Sequence, residues 1–354
     1  MPVPGPDLPA AVRIAPHRGV LRRGLTGRQI GLDPRTALAV DDLAEPLAAM
    51  VDELECPVAP AELIARAVRR GAGAAEAEAL LRALLGTGAV VDAAAPLLRS
   101  RRRAAAAVLV AGEGPLSCGL VTGLVQAGVG SVQVRTTGAV QRGDLGTGHV
   151  ESDRGRPRAE GLVAAARRLV PAARVGPDSA RQRPDLAVLT DALAVHPVQV
   201  AALQTAGVAH LPVRLRDGLA VVGPLVFPGR TACLGCLDRH RADRDPGWPG
   251  VAAQLTGLRG HGDPAAVAAA VALGTAQALA ALDGQPGTAP PAVGATLELD
   301  PVAGTLLRRD WPPRSDCPCG AHRAGATAAP GSAGGAGVPE ATCAATVPRE
   351  TITG

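Results

Sequence analysis

The sequence predicts an α/β protein: a mostly parallel sheet with helices on both faces, preceded by a small α+β domain. Three observations carry that expectation. Continuous apolar runs of strand length, Ala105–Ala111 and Asp185–Thr190 among them, alternate with helical patterns, as strands buried on both faces require. The first run opens into Gly112-Glu-Gly114-Pro-Leu-Ser117 and then a helical stretch. Two close cysteine pairs, Cys233-Leu-Gly-Cys236 and Cys317-Pro-Cys319, mark the later part of the chain, the second pair following a hairpin-like segment.

At 354 residues the chain is too long for one ordinary core, so two domains and a tail are expected. Residues 1–16 are Pro-rich, lack periodicity and predict a flexible lead-in. Residues 17–94 predict a winged-helix domain. Val20–Arg23, Gln29–Leu32 and Ala37–Val40 read as short strands joined by Gly- and Pro-containing turns. Three helices follow: Leu43–Leu54, a second announced by Pro60 at its first turn, and Ala74–Leu85, which stops at Gly86 and Gly88 before the strand Ala89–Asp92. Residues 95–104, with the run Arg99-Ser-Arg101-Arg102-Arg103, are expected to be a solvated linker.

Residues 105–320 predict the main sheet. After the strand and turn described above come a helix to Gly128 and a strand at Val132–Val134. Further strands are expected at Asp185–Thr190, His210–Val213, Leu219–Val222 and Leu225–Phe227, with a helix near Val198–Gly207. Two more helices and the hairpin Ala295–Arg309 close the domain. Residues 321–354 are rich in Gly, Ala, Pro and Thr and are expected to be a disordered tail, with Cys343 a bystander.

Composition narrows the function. Every basic side chain is Arg, and neither Lys nor Asn occurs. A net charge of +4 is small for this length, and residues 1–92 hold ten Arg against twelve Asp and Glu. Duplex binding needs a clearly positive face, so no nucleic-acid partner is expected. The apolar stretch Pro264–Leu282, broken by Thr275 and Gln277, reads as a buried helix of a soluble protein, with no membrane partner. Seven cysteines without a signal-peptide pattern predict a reducing, cytoplasmic setting.

Four cysteines in two close pairs suit one tetrahedral Zn²⁺, with Cys233, Cys236, Cys317 and Cys319 as ligands of a closed structural site. Unrelated buried or redox pairs are the alternative. Gly112, Gly114 and Ser117 form a degenerate nucleotide turn, since Ser117 stands where a third Gly is usual and Pro115 removes a backbone donor. Cys118 follows that turn as a small buried cysteine or a redox group. His196 and His210 read as structural. The stretch from His240 to Trp248, with Arg241, Asp243, Arg244 and Asp245, suits a polar contact or an ion-paired loop.

The order of these parts resembles the ThiF/MoeB family, adenylating enzymes of the ubiquitin-activating type. The resemblance spans roughly Val108–Gly320 and rests on the glycine turn, Thr190-Asp191, Phe227-Pro-Gly-Arg-Thr-Ala-Cys-Leu-Gly-Cys, and Leu307-Arg-Arg-Asp-Trp-Pro leading into Cys317-Pro-Cys319-Gly. It implies a Rossmann-like ThiF-type sheet with a zinc-clamped C-terminal hairpin, and places Asp191 with the nucleotide turn. Active members use ATP and Mg²⁺, an acid after the second strand for the ribose, and an Asn-x-x-Arg-Gln stretch with a Lys. Here the second strand ends Val134-Arg135-Thr136-Thr137, and the later stretch reads Gly143-Asp144-Leu-Gly-Thr-Gly148. Loss of one preorganised group typically removes ~3–4 kcal/mol of transition-state stabilisation, so ATP chemistry is doubtful; Arg135 or Arg142 are the available replacements for a Lys.

The N-terminal domain resembles the PqqD-like recognition element. Its fusion to a ThiF-like domain is similar to the leader-peptide-binding component of azoline-forming (TOMM) cyclodehydratases. That resemblance implies binding of a precursor leader peptide, a YcaO-type partner enzyme, and no catalytic residue in this chain. The leader would add as a strand beside Leu38 and Val40 and enter a groove against Leu81 and Leu84. A homodimer through Pro264–Leu282 is a further implication. The alternative is an active ATP-dependent adenylyltransferase acting on a small carrier protein.

Overall fold

The computed structural model describes residues 8–178, 182–284 and 289–323. The N-terminal domain runs β1 (Val12–Ile14), β2 (Val20–Arg23), β3 (Gly27–Ile30), β4 (Leu38–Val40), α1 (Glu45–Glu53), α2 (Pro60–Arg69), α3 (Ala74–Gly86) and β5 (Val90–Asp92). β2, β3 and β4 form an antiparallel three-stranded sheet with β4 at one edge, and β1 pairs antiparallel with β5. Pro46 and Pro60 sit in the first turns of α1 and α2, where a missing N–H is harmless. Gly88, at φ +69°, makes the turn from α3 into β5 that a Cβ would disfavour. Ile30, Met50, Leu54, Leu63, Leu81 and Leu84 are the largest side chains of the resulting core.

Two sequence expectations about boundaries change. β1 lies inside the segment 1–16 that composition marks as flexible, yet Val12 and Ile14 are buried in the core. A three-residue strand whose partner lies far downstream has no local signal. Residues 1–7 lie outside the described residues. The expected linker is a helix, α4 (Ala95–Ala105). Arg103 makes a bidentate pair with Asp283 through two 2.7 Å bonds, and Arg102 donates to the carbonyls of Asp283 and Gly284. Arg102 and Arg103 therefore dock on the negative end of a later helix instead of standing free in solvent.

The second domain follows as β6 (Ala107–Ala111), α5 (Pro115–Gln126), β7 (Ser131–Arg135), α6 (Arg158–Leu169), β8 (Val175–Pro177), β9 (Leu186–Thr190), α7 (Pro197–Thr205), β10 (Ala209–Arg216) and β11 (Leu219–Val222). It ends with α8 (Leu234–Arg244), α9 (Trp248–Leu255), α10 (Pro264–Asp283), β12 (Ala295–Asp300) and β13 (Thr305–Asp310). The eight strands lie in the order β13-β12-β11-β10-β9-β6-β7-β8. β8, β7, β6, β9 and β10 are parallel, and β11, β12 and β13 continue antiparallel. This is the mostly parallel, Rossmann-like sheet expected. Leu225–Phe227 forms isolated bridges, Leu225 with Val293 and Val226 with His210, instead of the expected strand. The tail from residue 324, with Cys343, lies outside the described residues.

From β6 the chain winds outward to β7 and β8, then returns to place β9 on the other side of β6. The crevice at the carboxyl ends of β6 and β9 is thus the topological switch point, where open α/β sheets bind ligands. α5, α6 and α10 cover one sheet face, and α7 packs on the other. Among the described residues α10 is the one helix long and apolar enough to cross a membrane; one of its faces packs on α5 and on β10 and β11.

The Ala- and Gly-rich composition lets α5 and α10 approach closely. A Cβ on Gly119 would lie 2.5 Å from Val271 Cγ2, and one on Gly123 would lie 2.9 Å from Thr275 Oγ1. Gly→Ala in an open helix gains ~1 kcal/mol, whereas overpacking a close-packed contact loses ~1–3 kcal/mol. Gly119→Ala is expected to lower stability in denaturant unfolding by roughly 1–2 kcal/mol; a gain would show that the α5–α10 contact is looser than described.

Candidate functional site

At the switch point the glycine turn meets Asp191. This residue adopts φ +70° directly after β9, which turns its side chain back over the start of α5. Its carboxylate accepts hydrogen bonds from Gly114 N at 3.0 Å, Leu116 N at 3.1 Å, and the Ser117 and Thr190 hydroxyls at 2.7 Å each. All three polar side chains are buried. A Cβ on Gly112 would collide with Thr190, and one on Gly114 with Asp191. The glycines expected to let a phosphate approach are thus required by an internal carboxylate. Gly112, Gly114, Ser117 and Asp191, all singled out in the sequence, do come together, as a self-capped helix N-terminus.

A cavity of about 460 Å³ opens beside them, lined by Gln141, Asp144, Thr147, Asp191 and Arg259 among others. The charged groups of its wall are paired. Arg259 pairs with Glu113 at 2.8 Å, and Arg158 with buried Asp144 at 3.0 Å. The Glu113 carboxyl is held below its usual range by Thr137, which donates to it, and then by Arg259. The Lys replacements considered in the sequence do not fill that role: Arg135 pairs with Asp178, and Arg142 is exposed on a 3₁₀ turn. Arg259 is the cationic residue that sequence reasoning missed, because it lies far downstream in an irregular segment. Asp144 and Asp191 line the cavity, and Asp191 occupies the Gly114 and Leu116 amides, so donors that a triphosphate would use are engaged within the chain.

The four cysteines also converge. Cys233 and Cys236 belong to the first turn of α8, and Cys317 and Cys319 to the loop after β13. Sγ–Sγ separations are 3.9 Å for Cys233–Cys236, 3.6 Å for Cys233–Cys317 and 3.6 Å for Cys236–Cys319, and all four sulfurs lie within 4.8 Å of one another. A tetrahedral tetrathiolate with ~2.3 Å metal–sulfur bonds has edges of ~3.8 Å, so the set fits one zinc-sized ion with no open position. Val226, Leu237 and Trp311 bury it. Burial pushes the Cys233 thiol up, against a hydrogen bond from the Cys236 backbone and with the charges of Cys236 and Cys319 adding to the rise, so a bound dication is what would make the thiolates favourable.

Around the cysteines, α8 is tied to the loop after β13. His240 Nε2 lies 2.9 Å from the Pro312 carbonyl, and Arg314 pairs with Asp243 and Asp316. Arg241 stacks 4.7 Å from the Trp248 ring, whose Nε1 donates to Asp238. The stretch His240–Trp248 is thus an ion-paired segment. Cys118 is buried and its thiol is pushed up to about 12 by burial, so it is a small core residue and not a nucleophile. His196 caps α7, and His210 is buried against the Val208 carbonyl.

The expected peptide groove changes. Leu81 and Leu84 are buried in the N-terminal core and leave no surface for a ligand; their spacing on α3 serves packing. Leu38 and Val40 are partly buried on the edge strand β4.

No family model matches the chain, and no curated protein matches it. Solved structures do. MccB of E. coli with ATP superposes with a TM-score of 0.69 at 14% identity, covering 87% of this chain and 99% of that one. The chain has the MccB fold. The microcin C7 biosynthetic enzyme MccB in complex with N-formylated MccA gives a TM-score of 0.68 at 14% identity, over 88% and 99% of the two chains. PaaA gives 0.59 at 10% identity, over 84% and 99%. These shares exceed what residues 105–320 contain, so the MccB likeness reaches into the N-terminal domain.

Two outcomes follow from these geometries. Cys319→Ser is expected to release one zinc per chain, measured by elemental analysis, and to lower the Tm by roughly 10 °C or more; full stability with zinc retained would contradict a four-cysteine site. Asp191→Ala is expected to lower stability by roughly 2–3 kcal/mol in denaturant unfolding, through the lost cap and hydroxyl partners.

Proposed function

We propose that this protein binds the leader of a ribosomally made precursor peptide and presents it to a separate modifying enzyme of YcaO type, without adenylating the peptide itself. The observation that carries the second half is the Asp191 carboxylate on the N-terminus of α5. The amides that a nucleotide phosphate would use are taken from within, and Lys and Asn are absent from the chain.

Support for peptide binding comes from architecture. The likeness to MccB, one of whose structures is in complex with N-formylated MccA, extends over both parts of this chain. β4 is the edge of its sheet, with Leu38 and Val40 half-buried beside it, so an extended leader can add there through main-chain hydrogen bonds. The slight excess of acids over Arg in residues 1–92 favours such a partner over nucleic acid. The four-cysteine site acts in this reading as a structural zinc clamp that holds α8 to the loop after β13. Dimerisation through α10, whose outer Ala272 and Ala276 are exposed, belongs to the same reading.

A second reading, an active adenylyltransferase, is favoured by the 460 Å³ cavity at the switch point and by the MccB structure with ATP. The two separate in one pair of assays on zinc-loaded full-length protein. Fluorescent synthetic leader peptides are expected to give saturable anisotropy curves, while ATP–pyrophosphate exchange stays at background with and without peptide. Peptide- and Mg²⁺-dependent exchange would overturn the non-catalytic reading, and no saturable leader binding would overturn the presentation role.

A further inference from the structure

A second cavity, of about 400 Å³, lies on the α7 side of the sheet, away from the switch-point crevice. Its walls are largely apolar, with Leu193 and Val200 near α7, Leu237 on α8, and Trp248 and Leu255 on α9; the cysteine loop closes one end. Arg214 of β10 reaches into it from the sheet. Only 5% of this residue is exposed, and no hydrogen bond or ion pair to its side chain occurs among the described residues.

A buried unpaired guanidinium on a central strand is costly where Val or Leu would ordinarily pack. Among the described residues the nearby carboxylates are paired elsewhere, and the cysteine thiols at the cavity end face Arg239, whose Nη1 lies 3.8 Å from Cys317 Sγ. Glu298 pairs with Arg216 at 2.9 Å and Arg309 at 3.4 Å. Asp238 pairs with Arg241 at 3.5 Å and accepts from Trp248. Arg239, also in the wall, lies 3.8 Å from Asp316. Burial, then repulsion from Arg241 and Arg216, pushes the Arg214 guanidinium down to about 9. Arg214 is left without a partner at the inner end of an apolar cavity whose volume is within the ~300–1,000 Å³ typical of small-ligand sites.

We propose that this cavity binds a monoanionic organic carboxylate with an apolar body, its two oxygens on the Arg214 fork and its apolar part against α7 and α9. A single planar guanidinium matches a carboxylate bidentately. The ligand is either a free small acid or the carboxyl terminus of a peptide, and this site is separate from the leader-binding edge at β4.

The test titrates zinc-loaded full-length protein by calorimetry with octanoate, octanamide, N-acetyl-Leu-Leu with a free carboxylate, and the same dipeptide amidated. At least one carboxylate is expected to bind saturably, about tenfold or more tighter than its amide. Binding of octanoate alone identifies a small acid, and tighter binding of the dipeptide carboxylate identifies a peptide terminus. Arg214→Met is expected to remove the preference for carboxylate while its own Tm equals or exceeds that of the parent, since an unpaired buried charge is gone. Ala252→Phe, which fills the cavity and keeps Arg214, is expected to abolish binding. Equal affinity for acid and amide, no binding of either carboxylate, or unchanged binding in both variants would overturn the proposal.

Discussion

The carboxylate of Asp191 ties the sheet to its first crossover helix. It satisfies two orphan amides at the start of α5, and its own backbone joins two further elements: Asp191 N donates to the Val213 carbonyl of β10, and its carbonyl accepts from Gly260 N ahead of α10. One residue in a left-handed conformation thereby fixes the ends of β6, β9 and β10 and the approach to α10. The glycines at 112 and 114 follow from this contact, since no side chain fits beside Thr190 and Asp191.

The same constraint shapes function. A Rossmann-like sheet presents a helix N-terminus at its switch point as a ready anion site. Here that site is filled by the chain itself, and the cations around the crevice, Arg158 and Arg259, are spent on Asp144 and Glu113. The two ligand sites proposed above lie elsewhere: a sheet edge at β4, and a cavity on the α7 side beside Arg214. The cysteine cluster brings α8 and the loop after β13 together, and its closed geometry offers no position for a substrate.

Much of this was legible in the sequence where the signal is local. The cysteine pairs announced their own convergence because close spacing and flanking Gly or Pro suit ligand loops. Apolar runs at β6 and β9 and the Asp263-Pro264 start of α10, where Asp263 caps Ala266 at 2.9 Å, were equally plain. What failed depended on distant partners. β1 is only three residues long and exists through β5; the arginine run of α4 is helical, and its Arg103 is docked because Asp283 awaits it. Leu81 and Leu84 carried the periodicity of a helix face, which does not say whether that face meets a ligand or a core. The role of Asp191 was half visible: the sequence placed it with the glycine turn but not that it would occupy the turn.

The most direct test of this account is calorimetric titration of Mg·ATP into the zinc-loaded protein and its Asp191→Ala variant. If the carboxylate stands in for a phosphate, the parent shows no saturable binding through the millimolar range, and the variant, with the Gly114 and Leu116 amides released, gains measurable affinity. Submillimolar, Mg²⁺-dependent binding by the parent that disappears in the variant would show that Asp191 recruits the nucleotide instead of excluding it.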